Sequence, residues 1–173
     1  FSIGGALATL LATEEAPDRL VLVAPYFDVA YKPYYVLPAP VWNRLMRPFV
    51  RFVVRGDAFL GTTLREVKSR ILAYRGVPTA AVAELLAIGA RARAPETLAK
   101  VTAPVLLLHA PADHAAAYKA ARTAFAQFGS AHKEFVTLPR SNHLIFWDRD
   151  AEEALRAIEA FLGAAGGEPA PRT

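Results

Sequence analysis

Residues 1–5 read Phe1-Ser2-Ile3-Gly4-Gly5, and the residues after them continue small and apolar as far as Thr13. With one more glycine in front, the five would spell a G-x-S-x-G turn, in which a serine is lifted onto a strained strand-to-helix corner. Such a corner is tight, so residues beside the serine need small side chains, and Gly4 supplies one on the downstream side. Leu7, Leu10 and Leu11 recur at helical spacing, so a helix is expected directly after Ser2. A Ser-x-Gly-Gly tetrapeptide by itself equally ends a loop or opens a helix. Its meaning depends on what the rest of the chain offers in reply.

The upstream glycine of that pattern would fall before Phe1. This end has no Met, no basic n-region and no visible signal peptide, so the expectation is a partial sequence, from which any targeting segment would be missing. The chain has 173 residues, a length that fits one domain burying roughly two-thirds of its unfolded surface. Its residues are 54% hydrophobic and its mean hydropathy is +0.23, as in a well-cored globular protein. No apolar run approaches the roughly 20 residues that cross a bilayer. The net charge of +4 comes from scattered Arg and Lys without a nucleic-acid-binding signature, so nucleic acid is not an expected partner. The absence of cysteine excludes a disulfide framework, a thiolate metal site and a thiol nucleophile. It also fits a cytoplasmic location, which is the expectation. The four histidines lack a spacing such as H-E-x-x-H, so neither a metal nor a cofactor is expected.

Along the chain, Arg19–Ala24 is a short continuous apolar run ended by Pro25, the pattern of a strand buried on both faces. Three helical stretches are then expected. The first, Val41–Arg55, puts Trp42, Leu45, Met46, Phe49, Val50 and Val53 on an inner face. Arg44, Arg47, Arg51 and Arg55 form its outer stripe, and Pro48 kinks or breaks it. The second starts at Thr63 with Glu66 in a capping box and buries Leu64, Val67, Ile71 and Tyr74. The third starts near Thr79 and carries Val82, Leu85 and Leu86, and Pro95 ends the region.

The earlier pattern returns with Val105–Leu108, a second strand, and a helix placing Tyr118, Ala121, Phe125 and Phe128 on one face up to Gly129. A third strand, Glu134–Leu138, leads to a polar loop. Asp150 with Glu153 is expected to cap the last helix, with Ala151, Leu155, Ile158 and Leu162 facing inward. The expected organisation is residues 1–25 as elbow, helix and strand, 26–96 as a helical cap, 97–163 as the second part of an α/β core, and 164–173 as a loose tail.

Each of the last two strands is followed by a residue that a serine nucleophile would need. Asp113 lies just past the second strand and His143 just past the third. In parallel sheets, sites form beyond the carboxyl ends of the strands, so Ser2, Asp113 and His143 are expected on one edge. Serine attack needs a base for the hydroxyl proton, and that base needs an anion to fix its tautomer. Asp28, after the first strand, is the rival acid. His109 reads as a packing residue, His114 as a neighbour of the site and His132 as an exposed residue.

The order Ser…Asp…His, with these surroundings, resembles the α/β-hydrolase fold from its nucleophile elbow to its C-terminus. Pro104-Val105-Leu106-Leu107-Leu108-His109-Ala110-Pro111-Ala112-Asp113 resembles the family's acid-bearing strand and loop, with Ala110 where glycine is common. Ser141-Asn142-His143-Leu144-Ile145-Phe146-Trp147-Asp148 resembles the histidine loop of bacterial carboxylesterases and monoacylglycerol lipases.

The resemblance implies Ser2 as nucleophile, Asp113 as orienting acid, His143 as general base and the Ile3 N–H as one oxyanion donor. It implies a partial sheet of three parallel strands with flanking helices and an inserted helical cap. It also places the second oxyanion donor and several strands before the serine. The segment alone is therefore expected to be inactive and poorly folded. An ester with an apolar acyl group is the expected substrate, because apolar residues line lids over lipophilic pockets. A dehalogenase would want Asp at position 2. A non-catalytic scaffold is the alternative from another class, and thioesterase, amidase, peptidase and C–C hydrolase chemistry stay open within the fold. The arginine stripe with Trp42, Phe49 and Phe52 is either a solvated cap face or a surface that docks on anionic lipid.

Overall fold

The structure, a computed structural model, describes residues 1–30, 36–54, 61–72, 74 and 76–163. Helix α1 (Ser2–Leu11) leads to strand β1 (Leu20–Val23). Strand β4 (Val105–His109) pairs in parallel with β1 on one side and with β5 (Lys133–Thr137) on the other, giving the order β1-β4-β5. Between β1 and β4 lie α2 (Ala39–Met46), β2 (Phe52–Val54), α3 (Arg65–Lys68), β3 (Gly76–Pro78), α4 (Thr79–Ala92) and α5 (Pro95–Lys100). Helix α6 (Tyr118–Gln127) connects β4 to β5, and α7 (Ala151–Gly163) closes the described chain.

The continuous apolar runs of β1 and β4 follow from helices on both faces of the sheet. Leu20, Leu22, Val105 and Leu107 point to a core shared with Ala6 and Ala12 near α1, Leu98 of α5, and Ala121 and Ala124 of α6. Val23, Leu106 and Leu108 point the other way, to Ala154 and Phe161 of α7. Alternate residues of one strand thus serve two cores, and the only polar residue of β1 and β4 is His109 at the end of β4. Each such leucine contributes about 1.5–3 kcal/mol through burial.

Several expected faces are rotated. In α1 the buried residues are Gly5, Ala6 and Thr9, while Leu7 and Leu11 are about half exposed. Small residues win there because α1 lies close against Pro25, where a Cβ on Gly5 would come within 3.0 Å of the proline Cβ. In α7 the buried stripe is Ala154 and Phe161 with Ile158 packed beside it, and Leu155 and Leu162 stand half exposed. Phe161, the largest apolar side chain of that helix, sets its rotation.

The insertion departs further from the expected three helices. The Val41–Arg55 stretch divides into α2 and β2, with the break at Arg47–Val50 around Pro48. Strand β2 pairs antiparallel with β3, Phe52 opposite Pro78 and Val54 opposite Gly76. Arg55, the last of the arginine stripe, lies outside the described residues, as do residues 164–173 of the expected tail. Only Arg65–Lys68 of the second stretch is helical, starting after Leu64 rather than Thr63, and Tyr74 is exposed rather than buried. The Thr63 hydroxyl is engaged elsewhere, by Asp148, and so does not cap the helix. The third stretch is helical from Thr79, and Thr79 ties the insertion together. Its hydroxyl donates to the Val50 carbonyl at 2.8 Å and its carbonyl accepts from Asn43 at 3.1 Å. Pro95 opens α5 at its first turn, where the missing N–H costs nothing. Among the described residues no helix is long and apolar enough to cross a membrane.

Candidate active site

Ser2 stands at the corner where α1 begins, with φ of 51°, in the left-handed region that side-chain-bearing residues seldom occupy. Its carbonyl accepts the Tyr26 N–H at 2.9 Å, which ties the corner to the chain leaving β1. A Cβ added at Gly4 would meet nothing within 4 Å, so the close approach belongs to Gly5. Strain held in this way costs of order 1–3 kcal/mol and persists where surrounding contacts fix it.

Asp113 sits in the turn after β4 with its side chain fully buried. Its Oδ1 accepts the N–H groups of Ala115 at 2.7 Å and Ala116 at 2.8 Å. Its Oδ2 lies 2.8 Å from His143 Nδ1, and His143 Nε2 lies 2.9 Å from Ser2 Oγ. An ionised carboxylate only accepts, so Nδ1 carries the ring proton and Nε2 offers its lone pair to the serine hydroxyl. Ser2, His143 and Asp113, which the sequence pattern placed on one sheet edge, form one hydrogen-bonded line. The ring of Phe1 covers His143, with centroids 5.0 Å apart. A line of this kind can take a proton from a hydroxyl and hold the resulting imidazolium against a buried anion.

The other candidates are not members of this line. Asp28 accepts the Val29 N–H at 2.8 Å and pairs with Arg93 at 2.9 Å. The Ile3 N–H belongs to the first turn of α1, where backbone donors have no intrahelical acceptor. His109 is fully buried at the end of β4, 3.9 Å from Asp113 Oδ2 and edge-on to Tyr118. Burial pushes its pKa below the usual 6.5, against the pull of the nearby Asp113 charge. His114 adjoins the line through Asn142, and His132 is exposed before β5. Among the described residues no group of three or more His, Asp or Glu side chains could hold a metal ion.

Sequence reasoning missed the residues that hold His143 in place. Asn142 Oδ1 accepts both the His143 N–H at 2.8 Å and the His114 N–H at 3.1 Å, which joins the histidine loop to the acid loop. Asp148 Oδ2 in turn accepts the Asn142 N–H at 2.9 Å. Adjacency to His143 was the only sign for Asn142, and nothing in the sequence pairs Asp148 with residues near position 63.

No curated protein matches the chain. Solved structures do. A metagenome-derived lipolytic enzyme of the LipS and LipT pair is 23% identical with a TM-score of 0.77, over 94% of this chain and 63% of that one. The monoacylglycerol lipase of Paleococcus ferrophilus is 19% identical with a TM-score of 0.76, over 94% of this chain and 66% of that one. A soluble variant of the Saccharomyces cerevisiae monoglyceride lipase, in complex with a substrate analogue, is 16% identical with a TM-score of 0.74, over 94% of this chain and 62% of that one. The chain therefore spans less than two thirds of each of these proteins. At such identities the likeness is one of fold, and the parallel sheet with helices on both faces is part of an α/β-hydrolase fold. Residues 1–150 match the family described as serine aminopeptidase, S33 (Hydrolase_4), and the chain belongs to that family of α/β-hydrolases.

Proposed function

We propose that the protein to which this chain belongs is a serine hydrolase of carboxylic esters with an apolar acyl group, working through an acyl-enzyme. The observation that carries this reading is the hydrogen-bonded line from Ser2 Oγ through His143 to Asp113, at 2.9 and 2.8 Å. In the proposed reaction Ser2 Oγ attacks the ester carbonyl carbon while its proton passes to His143 Nε2. The carbonyl π pair moves to oxygen, which the Ile3 N–H stabilises as one of two donors. Collapse of the tetrahedral intermediate breaks the bond to the alcohol oxygen, and His143 returns the proton to that alcohol. Water then attacks the acyl-Ser2 ester with its proton going to His143, releasing the acid and restoring the serine. Asp113 holds the imidazole tautomer and offsets the imidazolium charge throughout.

Residues 26–96 act in this reading as the cap over the site. The apolar acyl group rests on their composition and on the fold shared with two monoacylglycerol lipases. Thioesterase, amidase, peptidase and C–C hydrolase chemistry use the same triad, so a substrate panel decides among them. The second oxyanion donor is assigned to residues outside this chain, and one missing donor costs about 10²–10³ in rate. Residues 1–173 alone are therefore expected to be poorly folded and inactive. A protease-resistant chain of that length with esterase activity would contradict this.

The decisive experiment is fluorophosphonate labelling of the full-length protein beside its Ser2→Ala variant. Labelling that disappears in Ser2→Ala supports the hydrolase. A folded protein that does not label would leave a non-catalytic scaffold.

A membrane-surface reading of the cap has one observation in its favour. Leu45, Phe49 and Phe52 are 56%, 83% and 58% exposed, with Arg44, Arg47 and Arg51 exposed among them. Apolar and cationic side chains on one exposed segment fit docking on anionic lipid. Reversing the charge of Arg44, Arg47, Arg51 and Arg55 should weaken binding to anionic vesicles, and unchanged binding would refute the docking.

A further inference from the structure

We propose that Gly61–Thr63 in the insertion is a positioning element for His143, acting through Asp148. The proposal rests on the hydrolase reading above. The histidine loop, residues 138–150, contains a single 3₁₀ turn (Ile145–Trp147) and otherwise lacks regular structure to hold it. Besides hydrogen bonds within the loop, such as those of Asp150 to Arg140 and Ser141, residues distant in sequence hold it. The Gly61 carbonyl accepts the Leu144 N–H at 2.7 Å, and the Thr62 hydroxyl donates to the Trp147 carbonyl at 3.0 Å.

Asp148 is the hub between the two segments, and it is only 5% exposed. On the insertion side it accepts the Thr63 N–H at 2.8 Å and the Thr63 hydroxyl. On the loop side it accepts the N–H of Asn142 at 2.9 Å and of Arg149 at 3.0 Å. Asn142 passes the restraint on, because its Oδ1 holds the His143 N–H at 2.8 Å. A buried carboxylate needs all its acceptor sites filled, so loosening one side lets the carboxylate turn and frees the other.

Gly61 makes the contact close. At φ of 68° it takes a left-handed backbone conformation that favours glycine, and a Cβ there would stand 3.2 Å from the His143 Cβ. The backbone of the insertion thus lies directly against the residue proposed as general base. A proton acceptor displaced by about 1 Å loses on the order of a hundredfold in rate. Seating of the insertion therefore sets the serine–histidine geometry and not only access to the site.

Thr63 is exposed, so its substitution tests the link with little risk to folding. Thr63→Val keeps the shape and removes the hydroxyl, Thr63→Ser keeps the hydroxyl, and Thr63→Ala removes it without the bulk of valine. In the full-length protein, kcat and KM are measured on a short soluble ester, together with the rate of fluorophosphonate labelling. The expected result is a fall in kcat and labelling of about tenfold to a hundredfold in Thr63→Val and Thr63→Ala, with KM little changed. Thr63→Ser stays near wild type. Wild-type kcat in all three, or an equal loss in Thr63→Ser, overturns the proposal. If the unsubstituted protein itself shows no Ser2-dependent labelling, the hydrolase reading falls first and takes the positioning role with it.

Discussion

Every residue of β4 is buried, whereas Leu45, Phe49, Phe52 and Val54 of the insertion stand 56%, 83%, 58% and 75% exposed. Both stretches are apolar in sequence. They differ in what surrounds them. Strand β4 lies between β1 and β5 and under helices on two faces, so each side chain meets another element whichever way it points. In the insertion, α2 and the β2–β3 pair are short elements, and no neighbouring described element buries these four side chains. An apolar pattern therefore tells which residues share a face and leaves open whether anything covers it.

The strongest way to break this contrast is to remove apolar volume from each region of the full-length protein. Leu107→Ala takes a fully buried side chain from between β1 and β5, and α5 and α6 lie over it. It should cost about 2–5 kcal/mol, read as a lower denaturant midpoint with an unchanged slope. A cost near zero would mean that this sheet does not organise the core.

A second, smaller effect concerns the buried polar residue at the end of the same strand. His109 Nε2 has no hydrogen-bond partner among the described residues, and Nδ1 lies 3.2 Å from the Ala110 carbonyl. Desolvation lowers its pKa below 6.5. On acidification the unfolded chain therefore takes up this proton before the folded one. Stability should fall as pH drops below about 6.5 toward the lowered folded value, and be unaffected by this group above that range. His109→Phe keeps a ring against Tyr118 and removes the titration. Its urea midpoint should change less than that of wild type between about pH 7 and about pH 5. An identical pH dependence would place the acid sensitivity elsewhere.

The same contrast explains what was legible in the sequence. Strands β1 and β4 could be read because burial on both faces leaves continuous apolar runs, whereas β5, at the end of the three, is only partly buried; the expected ends differ from the observed ones by a residue. The serine, aspartate and histidine could be read because each follows or opens an element whose position the sheet fixes. The network behind His143 could not. Asp148 and Thr63 are 85 residues apart, and their meeting depends on how the insertion folds back. Pro48 signalled a break, but the pairing of Phe52–Val54 with Gly76–Pro78 is a long-range choice that local pattern does not encode. Leu7 and Leu11 misled in the opposite sense, because close approach to Pro25 favours the small residues beside them.

The smallest stability effect is expected at Phe49, and it sharpens the comparison most. Phe49→Ser removes a ring that is 83% exposed, so its loss opens no cavity. Its midpoint should lie within about 0.5 kcal/mol of wild type, an order of magnitude less than the loss at Leu107. A selective cost should appear instead in binding to anionic vesicles, because an exposed aromatic ring contributes only when a surface covers it. A drop of several kcal/mol in stability would mean that the ring is covered in the full-length protein. The exposed face would then be a packing surface, and Arg44, Arg47 and Arg51 the rim of an internal interface rather than a lipid contact.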